Sequence, residues 1–226
     1  MFVVTADQKG SRADVDRAGT VLDHLNRRFA HALELPVDRT AGDEVQALLT
    51  GAADALAMVL DLTRREHWSV GLGIGGVRTP LPADTRAATG DAFIAARDAV
   101  DAAKRSPTRF ALAVGGGAEG DSTTNDGADG DRVAIDHAGI SPDEVEALIT
   151  LLLLARDRRT EQGWEVVDRM ASGGTQRDVA ARLGITPQAV STRLRTAGWR
   201  TEQAALPGLA KLLERLDTEA TRKDPA

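Results

Sequence analysis

The spacing of apolar residues predicts two regions of different architecture along this chain. An apolar, β-branched run at 2–6 predicts a buried strand, and apolar residues repeating every three to four positions within 14–29 predict a helix. A hairpin, a helix, a strand, a helix and a strand are predicted next, at residues 36–49, 52–66, 69–77, 91–104 and 109–114. The order β-α-β-β-α-β is that of a ferredoxin-like sheet with its helices on one face, and the helix near 52–66 is expected to fold into the second crossover. An α+β, ferredoxin-like (cyclase-like βαββαβ) domain is therefore predicted over 1–114.

The composition changes abruptly after this region. Residues 115–131 contain no large apolar residue and are rich in glycine and aspartate, so 115–140 is expected to be a flexible acidic loop or linker. A calcium loop is the alternative, but no glutamate closes it at the twelfth position of an EF-hand register. Helical periodicity then predicts an all-α domain over 141–217. Its leucines 151–154 leave no polar face, which indicates burial between the domains or in a dimer interface.

Residues 175–198 carry the strongest local signal in the helical region. Thr175 and Asp178 have the spacing of a capping box. Gly184 supplies a left-handed residue that ends the first helix, and Thr186 caps the second. Two short helices joined by a three-residue turn predict a helix-turn-helix. A last helix is expected to follow, with Pro207 in its first turn.

The polar side of the second helix is the predicted DNA reader. Four side chains that can hydrogen-bond to base edges recur at i, i+3, i+4 and i+7, namely Gln188, Ser191, Thr192 and Arg195. Four further arginines flank them and suit phosphates, namely Arg177, Arg182, Arg193 and Arg200. Residues 175–200 hold five arginines and one aspartate, a local charge of +4, whereas the whole chain carries −6. A confined basic patch on an acidic chain is typical of binding to double-stranded DNA; a small helical bundle used for dimerisation is the alternative.

Composition excludes several other classes of function. The chain has no cysteine, which excludes disulfides, thiolate zinc sites and a thiol nucleophile. Its four histidines show no metal-ligand spacing. Neither an apolar run of 18 residues nor a charged-then-apolar leader is present, so no membrane span and no signal peptide are predicted. A cytoplasmic, nucleoid-associated protein is expected.

Glycines in the predicted strand at 69–77 are the first candidate ligand feature. Residues 71–76 fit a GxGxxG pattern, but Gly71, Gly73 and Gly75 alternate with apolar residues inside a strand, which excludes a dinucleotide fingerprint. A bare glycine face lets either a helix or a ligand approach closely. Both alternatives are open, and Gly73 is a candidate for the floor of a nucleotide site.

Carboxylates form the second candidate feature. Asp7 ends the first predicted strand, and Asp43 and Glu44 lie at the hairpin tip, so a split-βαβ sheet would bring them together. Clustered carboxylates repel unless a cation joins them, which makes Mg²⁺ with a bound nucleotide the expected occupant. Lys9 and Arg12 are near enough in sequence to meet phosphates. The alternative is a surface hairpin with solvated acids.

These motifs resemble the successive motifs of class III nucleotidyl cyclases and GGDEF domains. The resemblance rests on Asp7 after an apolar strand and on the segments 41–45, 71–75 and 90–97. The whole arrangement, with its C-terminal helix-turn-helix, more closely resembles the SatD-type family. The matching residues there are 7–12, 42–46, Gly90, Ala96 and Arg97.

The resemblance implies specific roles. Asp7 and Asp43 would be the metal-binding pair, with Gly42 and Glu44 beside them, and Arg97 would steady the transferring phosphate. Head-to-tail pairing into a homodimer is also implied. However, the cyclase asparagine four residues before that arginine falls at Phe93, which cannot donate a hydrogen bond. Loss of an oriented donor weakens transition-state stabilisation, so binding without efficient turnover is expected.

The sequence therefore predicts a DNA-binding transcriptional regulator. Its degenerate cyclase-like domain would dimerise and sense a nucleotide, either ATP or a cyclic nucleotide or dinucleotide. One alternative is an active Mg-dependent nucleotidyl cyclase that the helix-turn-helix localises. Another is an N-terminal domain that only dimerises.

Overall fold

The computed structural model describes residues 1–10, 17–40, 42–65, 67–116 and 140–223. The first region contains β1 (Phe2–Gln8), α1 (Ala18–Arg28), β2 (Leu33–Arg39), β3 (Glu44–Leu49), α2 (Ala52–Thr63), β4 (Trp68–Ile74), α3 (Asp91–Ala103) and β5 (Phe110–Val114). The second contains α4 (Pro142–Asp157), α5 (Glu161–Ala171), α6 (Gln176–Leu183), α7 (Pro187–Thr196) and α8 (Trp199–Lys223). The protein is thus α+β, and the strands and helices predicted for the first region are confirmed within a few residues.

The strands form one mixed sheet in the order β2-β3-β1-β4-β5. β1 is antiparallel to both β3 and β4, and β2 is antiparallel to β3. β5 is parallel to β4, and α3 connects the two. α2 connects β3 to β4, which confirms that the helix predicted near 52–66 belongs to the second crossover. α3 and β5 therefore extend the sheet by one further strand.

Helices cover both faces of the sheet. Phe2 and Val4 of β1 pack in the main core with α1 and α2, whereas Val3 packs with Leu48 and Phe93 under α3. The prediction that all helices lie on one face is wrong. The start of β1 gives the reason, because residues 2–4 are all apolar and buried, as in a strand that is covered on both faces.

The predicted boundary at residue 141 does not separate two cores. Val145 and Ile149 of α4 and Leu213 and Leu216 of α8 are buried in the same cluster as the sheet residues that face α1 and α2. Glu146 of α4 also accepts a hydrogen bond from the backbone N–H of a residue in the edge strand β5, at 2.7 Å. α4 and the second half of α8 thus share the core of the sheet, and we call these two elements, the five strands and α1–α3 the sheet unit. The separate helical core is therefore smaller than 141–217.

Two predictions about the rest of the chain have different outcomes. The sequence predicts Pro207 in the first turn of the last helix, but α8 begins at Trp199 and contains Pro207 in its interior. Glu202, in the first turn of α8, is buried against α4, and this tertiary contact outweighs the unfavourable effect of an internal proline.

The predicted linker and the alternative calcium loop lie almost entirely in 117–139, outside the described residues. Within the described ranges, no helix is both long and apolar enough to cross a bilayer.

Candidate functional site

Three short helices, α5, α6 and α7, form a unit with its own hydrophobic core. Val166 of α5, Val179 of α6 and Val190 and Leu194 of α7 are buried together there. α6 and α7 are joined by residues 184–186, as predicted. We call α5–α7 the three-helix unit.

Local capping explains why these helices begin and end where they do. Thr175 accepts a hydrogen bond from the Asp178 N–H, and Asp178 accepts one from the Thr175 N–H, so the predicted capping box is confirmed. Gly184 ends α6 in the left-handed conformation with φ of 64°, and Thr186 accepts from the Ala189 N–H at the start of α7. The hydrogen bonds from Thr175 lower the pKa of the Asp178 carboxyl below its ordinary value.

Removal of the Thr175 cap gives a first prediction. Thr175→Ala leaves the Asp178 N–H without its side-chain acceptor and is expected to lower the free energy of unfolding by about 1 kcal/mol. Urea unfolding followed by circular dichroism measures this, with exposed Thr201→Ala within α8 as the control that loses nothing. Because the folded pKa of Asp178 lies below its ordinary 3.8, the contribution of the Asp178 carboxylate is present above that pH and is lost under more acid conditions. Equal stability of both variants at pH 7 would contradict the capping role.

The predicted base-reading side chains share one exposed surface of α7. Gln188, Ser191, Thr192 and Arg195 are all exposed, and we call them the reader face. Arg177, Arg182 and Arg200 are exposed as well. Arg193 differs from them, because it is half-buried with its Nη1 3.7 Å from the Glu165 carboxylate of α5. An arginine already paired within the unit is less available to a phosphate than its exposed neighbours.

The predicted carboxylates meet at one end of the sheet. Asp7 lies directly opposite Glu44 in the β1–β3 ladder, and the N–H of Gln8 donates to the Asp43 carbonyl at 3.3 Å. The Asp7 carboxylate is paired with Lys104, whose Nζ lies 2.9 Å from Asp7 Oδ2. This hydrogen bond raises the pKa of Lys104 above its ordinary value. Lys104, at the end of α3, was not recognised from the sequence, because only the fold brings it beside β1.

These residues do not form a ready metal site. Asp7 is already paired with the Lys104 ammonium group, which also binds Asp101, and the described part of the chain contains no group of three or more carboxylates and histidines that could hold a metal ion. Lys9 is exposed. The backbone at Gly42 has a left-handed φ of 62° in the hairpin turn, a conformation that favours glycine. Arg12 lies outside the described residues.

The glycines of β4 are explained by helix packing rather than by a ligand floor. A Cβ placed on Gly73 would lie 2.2 Å from the Ala92 carbonyl oxygen and 2.3 Å from the Ala96 nitrogen, both in α3. The interpretation of Gly73 as a nucleotide-binding residue is therefore wrong, because backbone already covers its bare face. Arg97 is exposed on α3, about two turns before Lys104, while Phe93 is buried beneath the helix.

A buried ionic junction joins the three-helix unit to the sheet unit. Glu202 of α8 binds both Arg156 and Arg159, whose side chains are 11% and 3% exposed. Arg156 also donates to the Leu60 carbonyl of α2 at 3.0 Å, and Arg159 donates to the Ala197 carbonyl after α7 at 2.7 Å. The junction therefore holds α2, α7 and the start of α8 together.

A second contact crosses the same boundary on the outside. Arg64, just after α2, makes two hydrogen bonds to the Asp168 carboxylate of α5, at 2.6 and 2.8 Å. Its guanidinium group lies 3.8 Å from the ring centroid of Trp164, also in α5. Sequence reasoning missed these residues, and the signal that could have found them was the concentration of arginines at 156–159 just before a tryptophan.

No family model, no curated protein and no solved structure matches this chain. The resemblance to the SatD-type family therefore stays a prediction.

Proposed function

We propose that this protein is a DNA-binding transcriptional regulator that reads duplex DNA with α7. The observation that carries the proposal is the reader face. Four side chains able to recognise base edges are exposed together on the second helix of a capped helix-turn-helix that packs around its own core. Exposed Arg177, Arg182 and Arg200 supply the positive charge that phosphates require.

We also propose that the sheet unit is a ferredoxin-like sensor. Support comes from β2, β3, β1 and β4, which pair antiparallel with one another in that order, with α1 and α2 packed in one core on the same face. A nucleotide with Mg²⁺ at the Asp7 end would require the phosphates to supply further metal ligands and Lys104 to release Asp7. Among the described residues, Phe93 fills a core position under α3 and Arg97 is exposed, and neither placement favours an active cyclase.

The junction provides a route from the sheet unit to the DNA reader. Arg156 and Arg159 share Glu202 while contacting α2 on one side and the end of α7 on the other. A ligand that binds one arrangement of these elements better than another would shift the population of reader orientations.

The reader face gives the test of the proposed function. Arg195→Ala is expected to relax specificity at one base step by about 2 kcal/mol, or about thirtyfold, since a bidentate contact to a guanine would be lost. Arg182→Ala is expected to weaken all sequences alike and to reduce the salt slope of binding by about 1. Gel shifts on a selected operator and on single-base variants measure both effects. Arg158→Ala, which removes an exposed arginine at the end of α4, is the matched control. Identical behaviour of all three variants would remove α7 as the reader.

We further propose a homodimer. Support comes from Leu148, Leu151 and Leu154, which recur at helical spacing on α4 and are 41%, 63% and 43% exposed. Light scattering is expected to give twice the mass of the 23.9 kDa chain, and Leu151→Glu is expected to shift it towards the single-chain mass. A monomer both free and bound to DNA would contradict the dimer.

A further inference from the structure

A cavity of about 550 Å³ lies where the three-helix unit meets the sheet unit. Its walls come from the end of α2, the start of β4, the turn before β5, the end of α4 and the start of α5. Four arginines from these different elements line it, namely Arg64, Arg109, Arg156 and Arg159. The volume is within the range of small-molecule sites, and the convergence of four guanidinium groups on it calls for an explanation.

The cavity arginines are crowded and incompletely neutralised. The Glu202 carboxylate is shared between Arg156 and Arg159, and Arg64 forms an ion pair with Asp168. Burial lowers the pKa of Arg156 below its ordinary value, and the neighbouring positive charges act in the same direction. The two carboxylates that line the cavity, Asp157 and Glu161, are both exposed, and within the described ranges neither forms an ion pair with these arginines.

Two of the four arginines also have buried N–H groups without an acceptor. Arg159 Nε and Nη2 are bonded to Ala197 and Glu202, but Arg159 Nη1 has no hydrogen-bond partner among the described residues. Arg109 Nη1 donates to the Lys104 carbonyl at 2.6 Å, while Arg109 Nε is likewise buried and unpartnered within that part of the chain. Native proteins rarely leave such donors unsatisfied, so both nitrogens keep hydrogen-bonding capacity that the described residues do not use, as Arg65 Nε and Arg169 Nε do outside the lining.

We propose that this cavity binds a small phosphate-bearing anion. Guanidinium groups match phosphate oxygens with paired, charge-assisted hydrogen bonds, and such an anion would relieve the repulsion among the four arginines. The site is separate from the Asp7 carboxylate, although the Arg109–Lys104 hydrogen bond connects the two.

Occupation of the cavity would also act on the link between the two units. Arg64 is held by Asp168 of α5, and an anion in the cavity competes with that carboxylate for the same guanidinium group. Binding would thereby loosen the outer contact between α2 and α5 and change the orientation of the reader face. This regulatory step rests on the proposed DNA-binding function, whereas anion binding itself does not.

Pyrophosphate is a suitable probe of the site. Trp68 and Trp164, two of the three tryptophans of the chain, line the cavity, so intrinsic fluorescence reports on its contents. The full chain is expected to show a saturable fluorescence change with pyrophosphate and none with sodium chloride of equal ionic strength. Arg64→Gln/Arg109→Gln is expected to weaken this binding by at least about tenfold, because each change removes a charged donor. Arg158→Gln, at the same end of α4 but outside the lining, is expected to bind like the parent chain.

Three outcomes would overturn the inference. These are the absence of saturable binding, equal binding by the double variant, and equal weakening in Arg158→Gln. If the double variant does not fold, Arg64→Gln alone makes the same test, since its side chain is 36% exposed. Gel shifts with and without pyrophosphate form a separate arm. Anion binding by a chain that binds no DNA would sustain the cavity site while removing the proposed function.

Discussion

Replacement of Glu202 with alanine is expected to lower the free energy of unfolding by about 3–5 kcal/mol. The Glu202 side chain is 4% exposed and binds two arginines that are themselves buried. Removal of this carboxylate leaves Arg156 and Arg159 as uncompensated charges that are largely shielded from water. The loss arises from their desolvation, which in the parent chain is offset by the shared carboxylate.

Urea unfolding of the full chain measures this effect. Glu202→Gln keeps the hydrogen-bonding shape without the charge and is expected to fall between the alanine variant and the parent. Glu214→Ala is the matched control, because Glu214 is exposed on the same helix and is expected to change stability by less than about 0.5 kcal/mol. A Glu202→Ala chain as stable as the Glu214→Ala chain would show that the junction does not hold the two units together.

A methyl group on Gly73 is expected to lower the free energy of unfolding by about 3 kcal/mol. The new Cβ would meet the backbone of α3 at Ala92 and Ala96, and a backbone cannot rotate away as a side chain can. α3 must therefore move off the sheet, which also opens the packing of Phe93 against Val3 and Leu48. A glycine that served only as a ligand floor would tolerate the change.

Gly208 provides a control of opposite sign for this experiment. It lies inside α8 with no atom within 4 Å of a Cβ, so Gly208→Ala is expected to raise stability by up to about 1 kcal/mol. Thermal or urea unfolding distinguishes the two variants directly. A Gly73→Ala chain that unfolds like the parent would mean that α3 does not pack closely on β4.

Features set by neighbouring residues were predictable from the sequence. The capping box of Thr175 and Asp178, the left-handed Gly184 and the cap at Thr186 are all confirmed, because each depends on residues within a few positions. The first-region strands and helices were predictable for a similar reason, since burial on one or both sides imposes a period on the sequence. Their order also indicated that the helix near 52–66 belongs to the second crossover.

Features set by distant residues were not predictable in the same way. Nothing near Gly73 in sequence states whether a helix or a ligand covers it; α3 decides this from about twenty residues away. Lys104 pairs with Asp7, from which it is separated in sequence by most of the first region. Glu202 pairs with Arg156, from which it is separated in sequence by the three-helix unit. Local propensity places Pro207 in the first turn of a helix, but α8 begins at Trp199, where Glu202 is buried against distant residues.

The most direct test of the account is selection of genomic DNA by the purified full chain. Fragments of its own genome are bound at low salt, recovered and sequenced, in parallel with a Gln188→Ala/Arg195→Ala variant that lacks two members of the reader face. The expected result is enrichment of a common sequence with two related half-sites, which the variant no longer enriches. Recovery of no fragment above background, or the same enrichment by both chains, would contradict the claim that α7 reads DNA.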